Sequence, residues 1–163
     1  MNSILILSTG GTFNKIYNPK NGKLEIDKSN QALKSIEKKW LTKLNYDSII
    51  HKDSLDFADT DRELLANYIT NFNNDKIVVI HGTDTIDLSS KVVASKNISK
   101  SIVFTGAMVP FSIDPVEATA NLSLAIGFCN NAEIGTYIAM NGLVSSYDRV
   151  IKNRDIGKFE IKG

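Results

Sequence analysis

The sequence predicts one α/β domain: a doubly wound, mostly parallel sheet flanked by helices, with a C-terminal β-hairpin. Three observations predict it. Short apolar runs, Ile4 to Leu7, Ile77 to Ile80 and Ile102 to Phe104, have the composition of strands buried on both faces. Segments of helical periodicity alternate with these runs through most of the length, as parallel sheets with crossover helices require. The runs also end abruptly in glycines and hydroxyl residues, the equipment of a ligand crevice beyond strand ends.

In chain order, Ser3 to Ser8 is the first strand and stops at Thr9-Gly10-Gly11-Thr12. The paired glycines let the backbone turn sharply and approach a small ligand. The Gly-x-Gly-x-x-Gly spacing is absent and no Lys-Ser/Thr follows, so a phosphate cradle is a weak reading. Phe13 to Asp27 carries the turn pair Asn21-Gly22 and reads as a strand-turn-strand flap. Ser29 to Leu41 is helical, with Leu33, Ile36, Trp40 and Leu41 roughly on one face. Tyr46 to Lys52 is a strand ending at Asp53-Ser54-Leu55-Asp56. Thr60 to Glu63 has the form of a capping box, and Leu64, Leu65, Tyr68, Ile69 and Phe72 continue that helix.

Ile77 to Ile80 then runs into His81-Gly82-Thr83-Asp84-Thr85. Asp87 to Ala94 is a short helix, Ser101 to Thr105 a strand ending in Gly106-Ala107-Met108, Val116 to Cys129 a helix and Gly135 to Met140 a strand. Asn141-Gly142 is a strong hairpin signal, turning into Leu143-Val144 and then Tyr147 to Lys152.

Composition narrows the function. At 163 residues the chain reads as one domain, 1–163, able to bury a core without staples. A formal net charge of +1 and the lack of a basic run argue against nucleic acid. Cys129 is the single cysteine, and His51 and His81 lack zinc-ligand spacing, so neither a disulfide nor a metal site is expected. The opening apolar stretch is too short for a leader and no segment approaches the ~20 apolar residues of a membrane span, so a cytoplasmic protein is expected.

Four strand ends carry similar groups: Gly11-Thr12, Asp53-Ser54, Gly82-Thr83-Asp84 and Gly106-Ala107. In a parallel sheet they lie on one edge and face one pocket. Hydroxyls, a carboxylate and free backbone N–H groups suit a small zwitterion. The competing structural reading makes Gly82 a turn and Asp84 or Thr85 a helix cap.

Thr-Gly-Gly-Thr after the first strand, His-Gly-Thr-Asp-Thr after a middle strand and Thr-Gly-Ala-Met before Pro110 resemble the bacterial-type L-asparaginase family, from Ser3 to Lys152. That family hydrolyses the side-chain amide of asparagine, sometimes glutamine, without metal or cofactor. The resemblance implies Thr12 as nucleophile and Thr83 as the second catalytic threonine, grouped with Asp84 and Lys152. It implies Ser54 and Asp84 as holders of the substrate's α-carboxylate and α-amino groups. Gly11, Gly82 and Ala107 would add backbone contacts, and Tyr17 on the flap is a further candidate, with a surface tyrosine as the competing reading.

A threonine hydroxyl needs a nearby proton acceptor to attack. Burial would favour a neutral lysine and a neighbouring carboxylate the ammonium, which leaves Lys152 open as base or as positioning charge.

The family normally carries a second domain and completes its sites from a neighbouring subunit; that domain is absent from this chain as read here, and a homo-oligomer is expected. Leu55 stands where the family often has a polar substrate contact, Val109 where arginine is usual, and Glu117-Ala118-Thr119 where Asp-Gly-Pro is frequent. Three readings follow: an asparaginase-like amidohydrolase acting through an acyl-enzyme, a non-catalytic amino-acid-binding module, or a hydrolase for a different amide on a larger substrate.

Overall fold

The computed structural model describes residues 4–163. Ten strands and four helices are found among them. They are β1 (Leu5–Gly10), β2 (Lys15–Asn18), β3 (Lys23–Ile26), α1 (Gln31–Trp40), β4 (Asn45–Lys52), α2 (Asp59–Asn71), β5 (Lys76–Ile80) and α3 (Ile86–Ser95). The second half adds β6 (Ser101–Thr105), α4 (Pro115–Cys129), β7 (Gly135–Met140), β8 (Leu143–Ser146), β9 (Val150–Asn153) and β10 (Lys158–Ile161).

The main sheet has the order β4-β1-β5-β6-β7-β8, with every pair parallel except β7–β8. Period-2 alternation along each strand divides the core between its two faces. Leu5, Leu7, Ile77, Val79, Ile102 and Phe104 pack with Leu65, Ile69 and Val93 of α2 and α3. Ile6, Val78, Ile80 and Val103 pack with Leu33, Ile36, Leu122 and Ala125 of α1 and α4. Both faces are thereby covered by helices, which is why the central strands read as unbroken apolar runs.

The chain leaves β1 toward β4 on one side and returns through β5 on the other. The topological switch lies between β1 and β5, where doubly wound sheets open their ligand crevice. The Thr12 and Thr83 loops are the carboxyl ends of these two strands.

Local chemistry explains the elements and the departures from expectation. β1 occupies Leu5–Gly10, two residues further along than read from sequence, and Ser3 lies outside the described residues. The flap is the antiparallel pair β2–β3, with Tyr17 opposite Leu24. The start of α1 is capped by Asp27, whose carboxylate accepts from Ser29 N at 2.9 Å and Gln31 N at 2.6 Å. At α2 the cap is Ala58, and Asp61 rather than Glu63 reaches back, accepting Ala58 N at 2.9 Å. Thr60 therefore lies inside the first turn: Asp61 also takes Lys52 Nζ at 2.8 Å, and that ion pair anchors the start to the end of β4.

Asn141 (φ 51°) and Gly142 (φ 83°) both adopt the left-handed conformation that a tight hairpin turn requires. The stretch read as a strand from Tyr147 begins only at Val150, because Tyr147 to Arg149 form a turn closed by Arg149 N on Ser146 O at 3.0 Å. β9 then pairs with β10 as a separate hairpin, Lys152 opposite Phe159.

Candidate active site

Three loops are pressed together at the switch point by missing side chains. A Cβ on Gly11, which has φ +73°, would lie 2.5 Å from Gly82 N, and one on Gly82 would lie 2.5 Å from Ser54 Oγ. Only glycine allows these backbones to touch. Two hydrogen bonds tie the same loops: Gly11 N donates to Lys52 O at 3.0 Å and Thr85 Oγ1 to Ser54 O at 2.9 Å.

Thr12 opens a short 3-10 turn directly after Gly11. The buried Asn14 braces that turn, its Nδ2 donating to Gly10 O at 2.9 Å and Ser8 Oγ at 3.1 Å. Thr12 is half-buried, and its hydroxyl makes no hydrogen bond among the described residues.

Lys152 reaches the loop after β5 from the β9–β10 hairpin. Its Nζ donates to Thr83 Oγ1 at 2.9 Å and pairs with Asp84 Oδ1 at 2.7 Å. These residues are 69 and 68 positions apart in the chain. The Thr83, Asp84 and Lys152 group expected from sequence is thus assembled by direct contact.

The remaining expected residues divide. Ser54 is buried, and its Oγ is enclosed without a hydrogen-bond partner. Ala107 is buried in the loop after β6, while Leu55 is 67% exposed. Tyr17 sits on the flap strand β2, 61% exposed, with no contact to Thr83, Asp84 or Lys152 among those described.

Groups that sequence reasoning missed surround the site. Arg154 Nη2 donates to Asp84 O at 2.5 Å, and its Nη1 lies 3.8 Å from Asp84 Oδ1. It lies in the turn just after β9, which ends at Asn153, so no strand periodicity marked it. Lys15 Nζ pairs with Asp53 Oδ2 at 2.5 Å and fastens the flap base to the Ser54 loop. Burial opposes ionisation of Asp53, but the hydrogen bonds from Lys15 and Leu55 N outweigh it and hold its carboxyl below the usual aspartate value.

His81 is fully enclosed between Phe57 and Phe104, with Nδ1 2.8 Å from Gly82 O. Burial pushes its pKa down to about 4, so the ring is neutral at ordinary pH and Nδ1–H donates to the Gly82 carbonyl. No group of three or more His, Cys, Asp or Glu among the described residues could hold a metal ion. A cavity of roughly 210 Å3 lies behind the Thr12 turn, lined by Phe13, Asn14, Asp27, Ala32 and Phe111, apart from the lysine group.

The chain and its fold are similar to those of known proteins. The family described as Asparaginase, N-terminal, matches residues 3–157. The L-asparaginase of Thermococcus kodakarensis is 32% identical over 85 residues, covering 51% of this chain and 26% of that protein. The solved thermostable L-asparaginase of the same organism superposes with a TM-score of 0.82 at 25% identity, over 98% of this chain and 51% of that one. A structure described as a probable cytoplasmic L-asparaginase from Campylobacter jejuni gives 0.79 at 24% identity, over 99% and 53%. The latter likeness concerns the fold. The chain spans about half the length of these solved relatives.

Proposed function

Since the chain belongs to the asparaginase family through that family's N-terminal domain, we propose that it is an asparaginase-like amidohydrolase, releasing ammonia from L-asparagine through a threonine-bound acyl intermediate. The observation that carries the proposal is the contact of Lys152 with both Thr83 and Asp84 in the loop after β5. A folded scaffold alone does not require a lysine, a threonine hydroxyl and a carboxylate to meet there.

In the proposed sequence Thr12 Oγ1 attacks the amide carbon while its proton passes toward the departing nitrogen, which leaves as ammonia. Water then attacks the ester carbon, restoring the Thr12 hydroxyl and releasing the carboxylic acid. Backbone N–H groups in the glycine loops would face the tetrahedral oxyanion, a contribution worth several kcal/mol where it has been measured. Lys152 donates to Thr83 in the resting arrangement. The 2.9 Å contact supports a lysine that orients the Thr83 hydroxyl. The enclosed, unpartnered Ser54 Oγ supports a donor waiting for a substrate carboxylate.

A second reading, hydrolysis of a different amide, is favoured by Leu55 and Arg154. The first offers an exposed apolar side chain beside Ser54, and the second sets another cation against Asp84. Self-association belongs to the same proposal, because Ile113 and Val116 are 62% and 72% exposed at the start of α4. Sedimentation velocity showing only monomer would remove that part. No helix among the described residues is long and apolar enough to cross a membrane, and a cytoplasmic location is proposed by analogy with the C. jejuni protein.

The test is ammonia release from asparagine, glutamine and other primary amides, paired with a thermal melt in aspartate. A ligand at ~100 Kd adds about 2.7 kcal/mol, or roughly 5–10 °C for a chain of this size. Hydrolysis of asparagine with an aspartate shift is expected. A shift without hydrolysis would make the domain a binding module, and neither would leave only the fold.

A further inference from the structure

The loop after β6 is held in a way that neither the motifs nor the family assignment records. Gly106 packs directly on the loop that carries Thr83: a Cβ there would lie 2.2 Å from His81 O and 3.5 Å from Thr83 Cγ2. The loop has no strand to hold it, since β6 ends at Thr105 and α4 begins at Pro115. The backbone donors of Met108 and Val109 are taken instead by one carboxylate. Glu117 accepts Met108 N on both oxygens at 3.1 Å and Val109 N on Oε2 at 3.0 Å.

One helical turn further on, the buried Asn121 donates from Nδ2 to Gly106 O at 2.9 Å and accepts Asn141 N on Oδ1 at 2.8 Å. Residues four apart share a helix face, so α4 presents a two-residue clamp that grips both ends of Gly106–Val109 and the β7–β8 turn. An acidic residue in a first helical turn ordinarily serves the helix by facing its unpaired N–H groups. Here Asp114 already caps the helix, accepting Val116 N at 3.0 Å, and Glu117 turns its carboxylate outward to another segment.

We propose that Glu117 is a positioning residue that, together with Asn121, fixes the Gly106–Val109 backbone against the Thr83 loop and so sets the affinity of the site for substrate. The affinity part rests on the asparaginase reading above, in which Ala107 contributes a backbone contact. The chemistry specifies the variant. Glu117 Oε2 alone accepts from both Met108 N and Val109 N, while Oε1 also faces Asn141 Nδ2 at 3.4 Å. A glutamine with its oxygen at the Oε2 position keeps both backbone bonds, whereas Glu117→Ala removes every acceptor.

Hydrogen exchange on the full chain should show the Met108 and Val109 amides exchanging at least about fivefold faster in Glu117→Ala, on the scale of one lost hydrogen bond. The His81 amide, bound to Thr105 O at 2.8 Å, should be unchanged and reports that the sheet is intact. Steady-state kinetics should show KM raised about fivefold or more with kcat within about twofold, the pattern of lost ground-state binding. Unchanged exchange at Met108 and Val109, or a fall in kcat with KM constant, would overturn the proposal. If the unaltered chain hydrolyses no amide, the asparaginase reading fails by itself, and exchange at the two amides still decides the clamp.

Discussion

Acid should weaken this fold through His81 before its carboxylates begin to titrate. The ring has no exposed surface and sits 4.7 Å from the Phe57 ring centroid and 6.0 Å from that of Phe104. Burial drives its pKa down to about 4, assisted by the Arg62 charge and opposed by the Gly82 hydrogen bond and by Asp87. An unfolded chain would protonate the same residue near 6.5. Between those values the unfolded state binds the proton and the folded state does not, so stability falls as pH drops from about 6.5 to about 4. It levels off below the folded pKa.

At 1.36 kcal/mol per unit, the window is worth roughly 3 kcal/mol, a large share of a typical domain's 5–15 kcal/mol. The assay is urea unfolding at half-unit steps from pH 7.5 to 4.5. The expected slope approaches about 1.4 kcal/mol per pH unit in mid-window. His81→Gln should be less stable at pH 7.5 and nearly flat between about pH 6.5 and 5. Asp27, Asp53 and Asp61 are held below the ordinary aspartate range, so their losses begin only as pH falls below about 5, and the slope between about pH 6.5 and 5 belongs to His81. Parallel pH profiles for the two proteins, or a His81 proton resonance that titrates near 6.5, would refute the reasoning.

Four further outcomes are expected. Thr12→Ala should abolish ammonia release without shifting the melt by more than a few degrees, and a reactive substrate analogue should label Thr12 in the unaltered chain; labelling elsewhere would remove the nucleophile assignment. Lys152→Met should lower kcat far more than it raises KM, because the amine contacts Thr83 rather than filling the binding surface; the opposite split would make it a binding residue. Lys100→Met should lose the Nζ contacts to Ile69 O at 2.7 Å and to Phe72 O at the end of α2. That costs about 1.5–3 kcal/mol, and an unchanged melt would show the contacts to be energetically silent. Phe159→Ala removes a 2%-exposed ring opposite Lys152. A cost of about 3–5 kcal/mol should loosen the β9–β10 hairpin, and activity should fall faster than stability if that hairpin is what delivers the lysine.

The parts of the fold legible in sequence are those decided by short-range pattern. Ile77 to Ile80 and Ile102 to Phe104 were readable because the middle of a strand covered on both faces has no polar residue to confuse its period. Asn141-Gly142 was readable because only such a pair tolerates two left-handed residues in succession. Where a boundary depended on a partner far along the chain, the reading slipped. The start of α2 follows Asp61, which answers to Lys52 as well as to Ala58. β10 was missed because Lys158–Ile161 buries essentially one side chain, Phe159, and one residue sets no period.

The candidate site divides along the same line. The Thr12 and Thr83 loops follow from topology: β1 and β5 are neighbours, so whatever ends both strands shares one crevice. Reading the glycines and hydroxyls at those ends was sufficient to bring them together. Lys152 belongs to a small hairpin outside the main sheet, and no periodicity announces which of its residues turns inward. Its placement came from counting along a family resemblance, and the contacts to Thr83 and Asp84 supply the physical reason afterwards. Glu117 had neither signal, since an acid in the first turn of a helix looks the same whether it serves that helix or a loop nine residues earlier. Its partners are backbone N–H groups, which every residue but proline carries, so no side-chain pattern could mark them. The candidate site motifs of such a domain are therefore readable where they sit on strand ends, while the residues that hold those ends in place emerge only from the geometry.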